Sequence, residues 1–162
     1  MVGKGPLTLH EETVRPEWLD YNGHMNLAYY LLAFDHASDK FLDHVGLGAA
    51  YARATRGSIF VLETHLVYRR EMRGGDTMRF STQLLSHDAK RIHLMHRMHH
   101  ARDGFLAAVN ELMALHVNLD TRRAAPIPAE VMARLKTLQA AHDRLPRPEE
   151  AGRAIGLEKR KR

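Results

Sequence analysis

A chain of 162 residues has the length of one ordinary domain, and at 44% hydrophobic and 27% charged it has the composition of a soluble globular fold. No uninterrupted apolar run reaches the length of a bilayer crossing, and zero cysteines exclude disulfides, thiolate metal ligands and a cysteine nucleophile. The formal charge of +5 favours an anionic partner, although part of the excess sits in the terminal Glu158 to Arg162, which reads as a solvated tail.

The first residues, Met1 to Pro6, lack the apolar core of a secretory signal, so a cytoplasmic protein is expected. Leu7 to Arg15 alternates apolar and polar positions and ends at Pro16, as a short strand stopped by proline does. From Leu27 the apolar positions Tyr30, Leu31, Phe34, Ala37, Phe41 and Val45 follow at intervals of three and four. That spacing predicts a long amphipathic helix capped by Asn26 and stopped by Gly46 or Gly48. A glycine-containing connection then leads to Ser58 to Arg69, dense in β-branched and aromatic residues, which predicts a strand buried on much of both faces.

Gly74, Gly75 and Asp76 turn the chain into a strand from Thr77 to His87, with Met78, Phe80, Thr82 and Leu84 on one face. Asp88 to Lys90 turns it again into Arg91 to Ala101, where Ile92, Leu94, His96 and Met98 oppose Arg91, His93, Arg97 and His99. A turn at Arg102 to Gly104 precedes a last long strand, Phe105 to Asn118, and Pro126 and Pro128 introduce a helix through Val131, Leu135, Leu138 and His142. The order of elements is α+β: a five-stranded antiparallel sheet wrapped around a long central helix, with a C-terminal helix, which is the hotdog fold. One domain over residues 1–145 and an extended, then basic, tail over 146–162 are expected.

The junction of first strand and helix gathers Asp20, His24 and Asn26 around Gly23. A helix N-terminus there can meet an anion or developing negative charge. Read from the residues alone, Asp20 is open between turn residue and reacting carboxylate, and Asn26 between helix cap and substrate contact. Gly23 permits a positive φ or close approach of a substrate, and His24 either orients Asp20 or faces solvent or a second subunit.

The segment Asp20-Tyr-Asn-Gly23-His24-Met-Asn26, followed by Tyr29-Tyr30 and Phe34-Asp35, resembles the hotdog acyl-coenzyme A thioesterases of the 4-hydroxybenzoyl-coenzyme A thioesterase type. The order of elements from Leu7 to Asn118 is similar to that family throughout. Val14 to Asn26, Glu63 to His65, Thr82 to Leu85, Lys90 to His93 and Gly152 to Gly156 look like the thioesterases of bacterial carnitine breakdown, found alone or fused to carnitine dehydrogenase. The resemblance implies hydrolysis of a small acyl-coenzyme A, betainyl-coenzyme A in the carnitine branch, without metal or organic cofactor. It implies that Asp20 attacks the thioester or activates water, and that main-chain N–H groups at Asn26 and Leu27 form the oxyanion hole. It also implies homodimers or homotetramers with the site at a subunit boundary. Another short or aromatic acyl thioester, and a non-catalytic acyl-coenzyme A binder, stay open as alternatives.

A trimethylammonium acyl group needs aromatic faces, and Trp18 and Tyr21, on the loop itself, are the candidates. Glu63 shares the alternating face of Ile59, Val61 and Val67, so it is expected to be buried and either paired with an arginine or directed to a partner's site. Arg69, Arg70, Arg73, Lys90, Arg91, Arg122 and Arg123 are candidates for the phosphates of coenzyme A. Among the 12 histidines, His93, His96, His99 and His100 alternate across a strand and do not converge on a metal, while His65, His116 and His142 read as packing or surface residues. The basic tail has no aromatic-basic motif for nucleic acid, and no partner of that kind is expected.

Overall fold

The computed structural model describes residues 5–157. Pro16 has no N–H to give to a ladder, and strand β1 (Leu7–Thr13) stops short of it, followed by a single 3-10 turn at Pro16–Trp18. Helix α1 (Leu27–Val45) begins where the Asn26 side chain accepts from the Ala28 N–H and ends at Gly46 in the left-handed conformation. A short helix α2 (Ala49–Thr55) follows, then β2 (Gly57–Tyr68), β3 (Thr77–His87), β4 (Arg91–His100) and β5 (Leu106–Asn118). A two-residue β6 (Arg123–Ala124) and helix α3 (Ala129–His142) complete the regular elements.

The sheet is antiparallel in the order β1-β3-β4-β5-β2, with β6 paired to β5. It curls on α1, whose buried face is Tyr30, Ala33, Phe34, Ala37, Phe41 and Val45. Near the loop end, Phe34 packs with Trp18, Met25, Tyr30, Met72, Phe80 and Met98. Toward the other end, Phe41 and Val45 join Leu84, Ile92, Leu94 and Leu112, and α3 adds Val131, Leu135 and Leu138. Each such side chain contributes about 1.5–3 kcal/mol of burial, so α1 is fixed chiefly by packing. A register shift between Leu84 and Ser86 interrupts the ladder, and His142 on α3 accepts the Leu84 N–H through Nδ1 at 2.8 Å.

Four local expectations differ. The connection before β2 contains α2, whose alanines favour helix. Strand β2 is an edge strand, and Phe60 to Thr64 are exposed. Leu27 and Leu31, which the helical spacing assigned to the core, are exposed as well. Finally, Val61 pairs with Ala114 and Glu63 with Met113, so Leu62 is an extra residue in the ladder. Because neighbouring partners face opposite ways, that bulge turns Glu63 away from the face of Ile59 and Val61, and its carboxylate is exposed.

After α3, residues 146–152 run back over the outer face of the sheet. Gln83 Nε2 donates to the Pro146 carbonyl at 3.3 Å, and the Gly152 N–H donates to Glu111 at 2.7 Å. The Glu150 carboxylate is buried between Arg69 and Arg97, each at 3.1 Å. The stretch Glu158 to Arg162 lies outside the described residues. Among the described residues no helix is long and apolar enough to cross a membrane.

Candidate active site

The loop between β1 and α1 folds on itself through its main chain. The Asp20 N–H donates to the His24 carbonyl at 2.9 Å, and the Gly23 N–H donates to the Asp20 carbonyl at 3.0 Å. Gly23 takes φ +76°, and nothing lies within 4 Å of a Cβ placed there, so conformation, not crowding by the protein, favours glycine. Asp20 Oδ1 accepts from the N–H groups of Asn22 at 2.8 Å and His24 at 3.4 Å. One carboxylate oxygen thus holds the turn, and Oδ2 has no hydrogen-bond partner among the described residues.

Asp20 lines a cavity of about 680 Å³ whose walls come from the loop, the first turn of α1 and the chain leaving β2, Tyr68 to Glu71. Tyr68 donates its hydroxyl to the Leu27 carbonyl at 3.2 Å, which ties the end of β2 to the start of α1. Tyr30 accepts the Met72 N–H at 3.0 Å and meets the Tyr68 ring edge-on at 5.2 Å. Burial pushes both phenols up, and for Tyr30 the Glu71 and Asp20 charges add to it, so both stay neutral hydroxyls at physiological pH. Tyr30 has both a core and a cavity role and the exposed Tyr68 a cavity role, whereas Glu71 was missed from sequence. Its only signal was its place in the charged run directly after a long strand.

The remaining expected residues divide. Tyr21 is 98% exposed at the rim. Trp18 is corrected: it is 3% exposed, stacked on Tyr29 at 5.5 Å and covered by the Arg15 guanidinium at 5.0 Å, so its faces are occupied inside the fold. The His24 ring does not orient Asp20. It stands 3.6 Å from the Glu71 carboxylate, which Arg73 also meets at 3.5 Å.

Asn26 is the helix cap, and its own N–H is given to the Trp18 carbonyl at 2.9 Å, so the expected pair of main-chain oxyanion donors is reduced. The Ala28 N–H is taken by Asn26 Oδ1, and the Tyr29 N–H by the Asn26 carbonyl. The Leu27 N–H has no acceptor among the described residues and stands at the positive end of α1, on the cavity wall. Glu63, turned by its bulge, does not line this cavity.

Of the basic candidates, Arg69 and Arg70 line the cavity. Arg69 is held by Glu150, and Arg70 lies over the Phe105 ring at 4.0 Å. Arg73 is tied to Glu71, Arg91 to Asp88, and Arg122 lies over Phe60, while Lys90 sits in the β3–β4 turn and Arg123 in β6. The four histidines of β4 stay apart. His96 is fully buried between Thr82 Oγ1 at 2.8 Å and Ser38 Oγ at 3.0 Å, and burial lowers its pKa to about 4. His93 meets Glu111 at 2.7 Å, and His100 meets Asp76 at 3.3 Å. His116 is held between Tyr51 at 2.8 Å and the Ala125 carbonyl at 2.9 Å, a packing role.

A carboxylate with one open oxygen, facing a cavity that also presents an open helix-start N–H, can serve attack on, or water addition to, a carbonyl whose oxygen gains charge. Comparison with known proteins agrees with that chemistry. Residues 14–135 match the family model of the thioesterase-like superfamily. The chain is 46% identical over 151 residues to the betainyl-coenzyme A thioesterase of Pseudomonas aeruginosa, covering 93% of this chain and 95% of that one. It is 41% identical to the L-carnitine dehydrogenase/betainyl-coenzyme A thioesterase of Rhizobium meliloti, covering 94% of this chain and 30% of that longer protein. In structure it is similar to the hypothetical protein SAV2348 of Staphylococcus aureus, solved in complex with coenzyme A, with a TM-score of 0.87, 28% identity, and coverage of 94% and 97% of the two chains. With the match spanning most of the domain and the hotdog sheet wrapped on α1, the chain belongs to the thioesterase-like superfamily.

Proposed function

We propose that this protein hydrolyses betainyl-coenzyme A to betaine and coenzyme A in the cytoplasm. The observation that carries the substrate is the 46% identity, along nearly the full length of both chains, to a betainyl-coenzyme A thioesterase. The cavity geometry supports the reaction. The thioester carbonyl carbon lies against Asp20 Oδ2, its oxygen takes the Leu27 N–H, and the carboxylate either adds to the carbon or removes a proton from the water that does. The thiolate leaves as coenzyme A. The quaternary ammonium cannot donate a hydrogen bond, so aromatic faces and negative charge must hold it. The exposed Tyr21 on the loop, and Tyr68 and the Glu71 carboxylate on the segment leaving β2, line the same cavity and suit that need, and Arg69 and Arg70 are placed for the phosphates.

The active form is a homo-oligomer. An apolar groove of about 430 Å³ runs between α1 and β2, lined by Leu31, Leu32, Val61 and Leu112, and the long β2 edge beside it is open. A second copy covering both is consistent with these surfaces. The test is thiol release from betainyl-, acetyl-, 4-hydroxybenzoyl- and medium-chain acyl-coenzyme A. The expected result is the highest kcat/KM for betainyl. Equal or better turnover of the neutral thioesters removes the cationic-acyl reading, and binding without thiol release removes the hydrolase reading.

A further inference from the structure

At the β1 edge of the sheet, across from β2, two histidines and a carboxylate meet that the thioesterase chemistry does not use. His10 and Glu12 are two residues apart on β1 and project to the same side, toward α1, where His36 comes down to meet them. His36 Nδ1 is 2.8 Å and His10 Nε2 is 3.3 Å from the same oxygen, Oε2 of Glu12. The donor atoms of all three side chains lie within 4.8 Å of one another. We propose that His10, Glu12 and His36 form a binding site for a first-row divalent cation of the Zn²⁺ class, clamping β1 to α1.

The donor set is two imidazole nitrogens and one carboxylate oxygen, which suits a borderline cation such as Zn²⁺ and leaves a fourth position for water. Tetrahedral Zn²⁺ with bonds of about 2.0–2.2 Å separates its ligands by roughly 3.4 Å. The observed separations of 3.3 and 2.8 Å from Oε2 lie within tenths of an ångström of that value, and with all three donors inside 4.8 Å a cation would draw the two imidazoles toward the same spacing. The other carboxylate oxygen, Oε1, is 3.3 Å from the Arg15 guanidinium, so Glu12 is oriented from outside and presents Oε2 alone.

The ligands are also preset by packing. The His10 ring lies 5.2 Å from Phe80 and 6.3 Å from the His36 ring, and the Glu12 side chain is 12% exposed. None of the three side chains lines the Asp20 cavity, so the site stands apart from the proposed hydrolysis.

The experiment uses the full chain stripped with chelator, then titrated with Zn²⁺ against a chromophoric competitor and, separately, with Co²⁺ followed by its visible absorption. The expected result is a single tight equivalent per chain, a rise in Tm on loading, and at least a roughly 10-fold loss of Zn²⁺ affinity in both His36→Ala and Glu12→Gln. His36 is one-third exposed, so that variant keeps its fold, and circular dichroism of both variants checks it. Unchanged affinity and Co²⁺ spectrum in the variants would place the binding on other histidines and overturn the proposal, as would the lack of any metal-dependent rise in Tm.

Discussion

Replacing Asp20 with asparagine separates the structural part of this residue from its chemical part. Asn Oδ1 can keep both loop contacts, from Asn22 at 2.8 Å and His24 at 3.4 Å, but as a neutral acceptor. Weakening two such bonds costs about 1 kcal/mol, which for a chain of this size lowers Tm by about 2–4 °C. The chemical loss is larger. An amide can neither add to the thioester nor accept a proton from water, and loss of a positioned base lowers turnover by about 10²–10⁴, or roughly 3–5 kcal/mol of transition-state stabilisation. The assay is thiol release under saturating betainyl-coenzyme A, with substrate affinity measured by calorimetry and folding by a thermal melt. The expected outcome is a native-like melt, near-parental affinity and a collapse of kcat. A kcat within about tenfold of the parent, with the fold intact, would refute the role given to Asp20. In the parent, ¹⁸O from labelled water found in the Asp20 carboxylate after a single turnover would show that it adds to the acyl group and that water opens the resulting anhydride at the Asp20 carbon; attack of water at the acyl carbon, by either route, puts the label in betaine.

Three other changes have defined outcomes. Tyr21→Ala removes a fully presented ring and is expected to lower kcat/KM for betainyl- relative to acetyl-coenzyme A by about 2- to 30-fold, the span of a cation–π contact; an unchanged ratio would exclude Tyr21 as a reader of the cation. Glu150→Gln weakens the two bonds that hold residues 146–152 against the sheet. Arg69 and Arg97 are 41% and 35% exposed, so the expected loss is about 1–3 kcal/mol and not that of a fully buried pair, read from the urea midpoint. Buried His96 makes stability fall in acid. Its folded pKa of about 4 lies below the unfolded value near 6.5, so only the unfolded chain takes up the proton between those values, and stability is lost as pH falls through that window. From pH 7 to pH 5 this amounts to about 2 kcal/mol, and His96→Gln should lessen the slope of urea midpoint against pH by that amount; an identical slope would refute it.

The fold was legible wherever a pattern stayed unbroken. Asn26 and Gly46 bracket α1 as their chemistry requires, and the alternation of Met78 to Leu84 and Ile92 to Met98 places the same residues against α1 that the structure does. Helix α2 was missed because seven residues give too few turns for a period, although Ala49, Ala50, Ala52 and Ala54 favour helix and Arg56 ends it at positive φ. Glu63 was misplaced for a different reason. Counting by twos assumes one residue per rung, and the extra residue at Leu62 reverses every face beyond it. The site was half legible on the same grounds. Asp20, Gly23 and Asn26 lie within seven residues and their roles are local, whereas Tyr68 and Glu71 reach the cavity from beyond β2, and the loss of Trp18 to the core depends on where Arg15 and Tyr29 fold.

The residues whose burial the sequence overstated follow a rule of their own. Leu27 and Leu31 on α1 and Phe60, Val61 and Leu62 on β2 carry core-type side chains, and each is exposed in the single chain. A sequence pattern records what is covered in the working molecule, whichever chain supplies the cover. Scattered exposed leucines would need no explanation, but Leu31, Leu32 and Val61 line one groove beside a twelve-residue edge strand. Both the apolar surface and the unpaired main-chain groups of β2 are therefore left at one place, and a second copy of the chain would satisfy both. Leu27 links that surface to the chemistry, since its N–H is the open donor of the Asp20 cavity while its side chain stands exposed beside the groove-lining Ala28. Dilution to monomer should then weaken turnover together with self-association, and a fully active monomer in sedimentation analysis would break the link between the groove and the site.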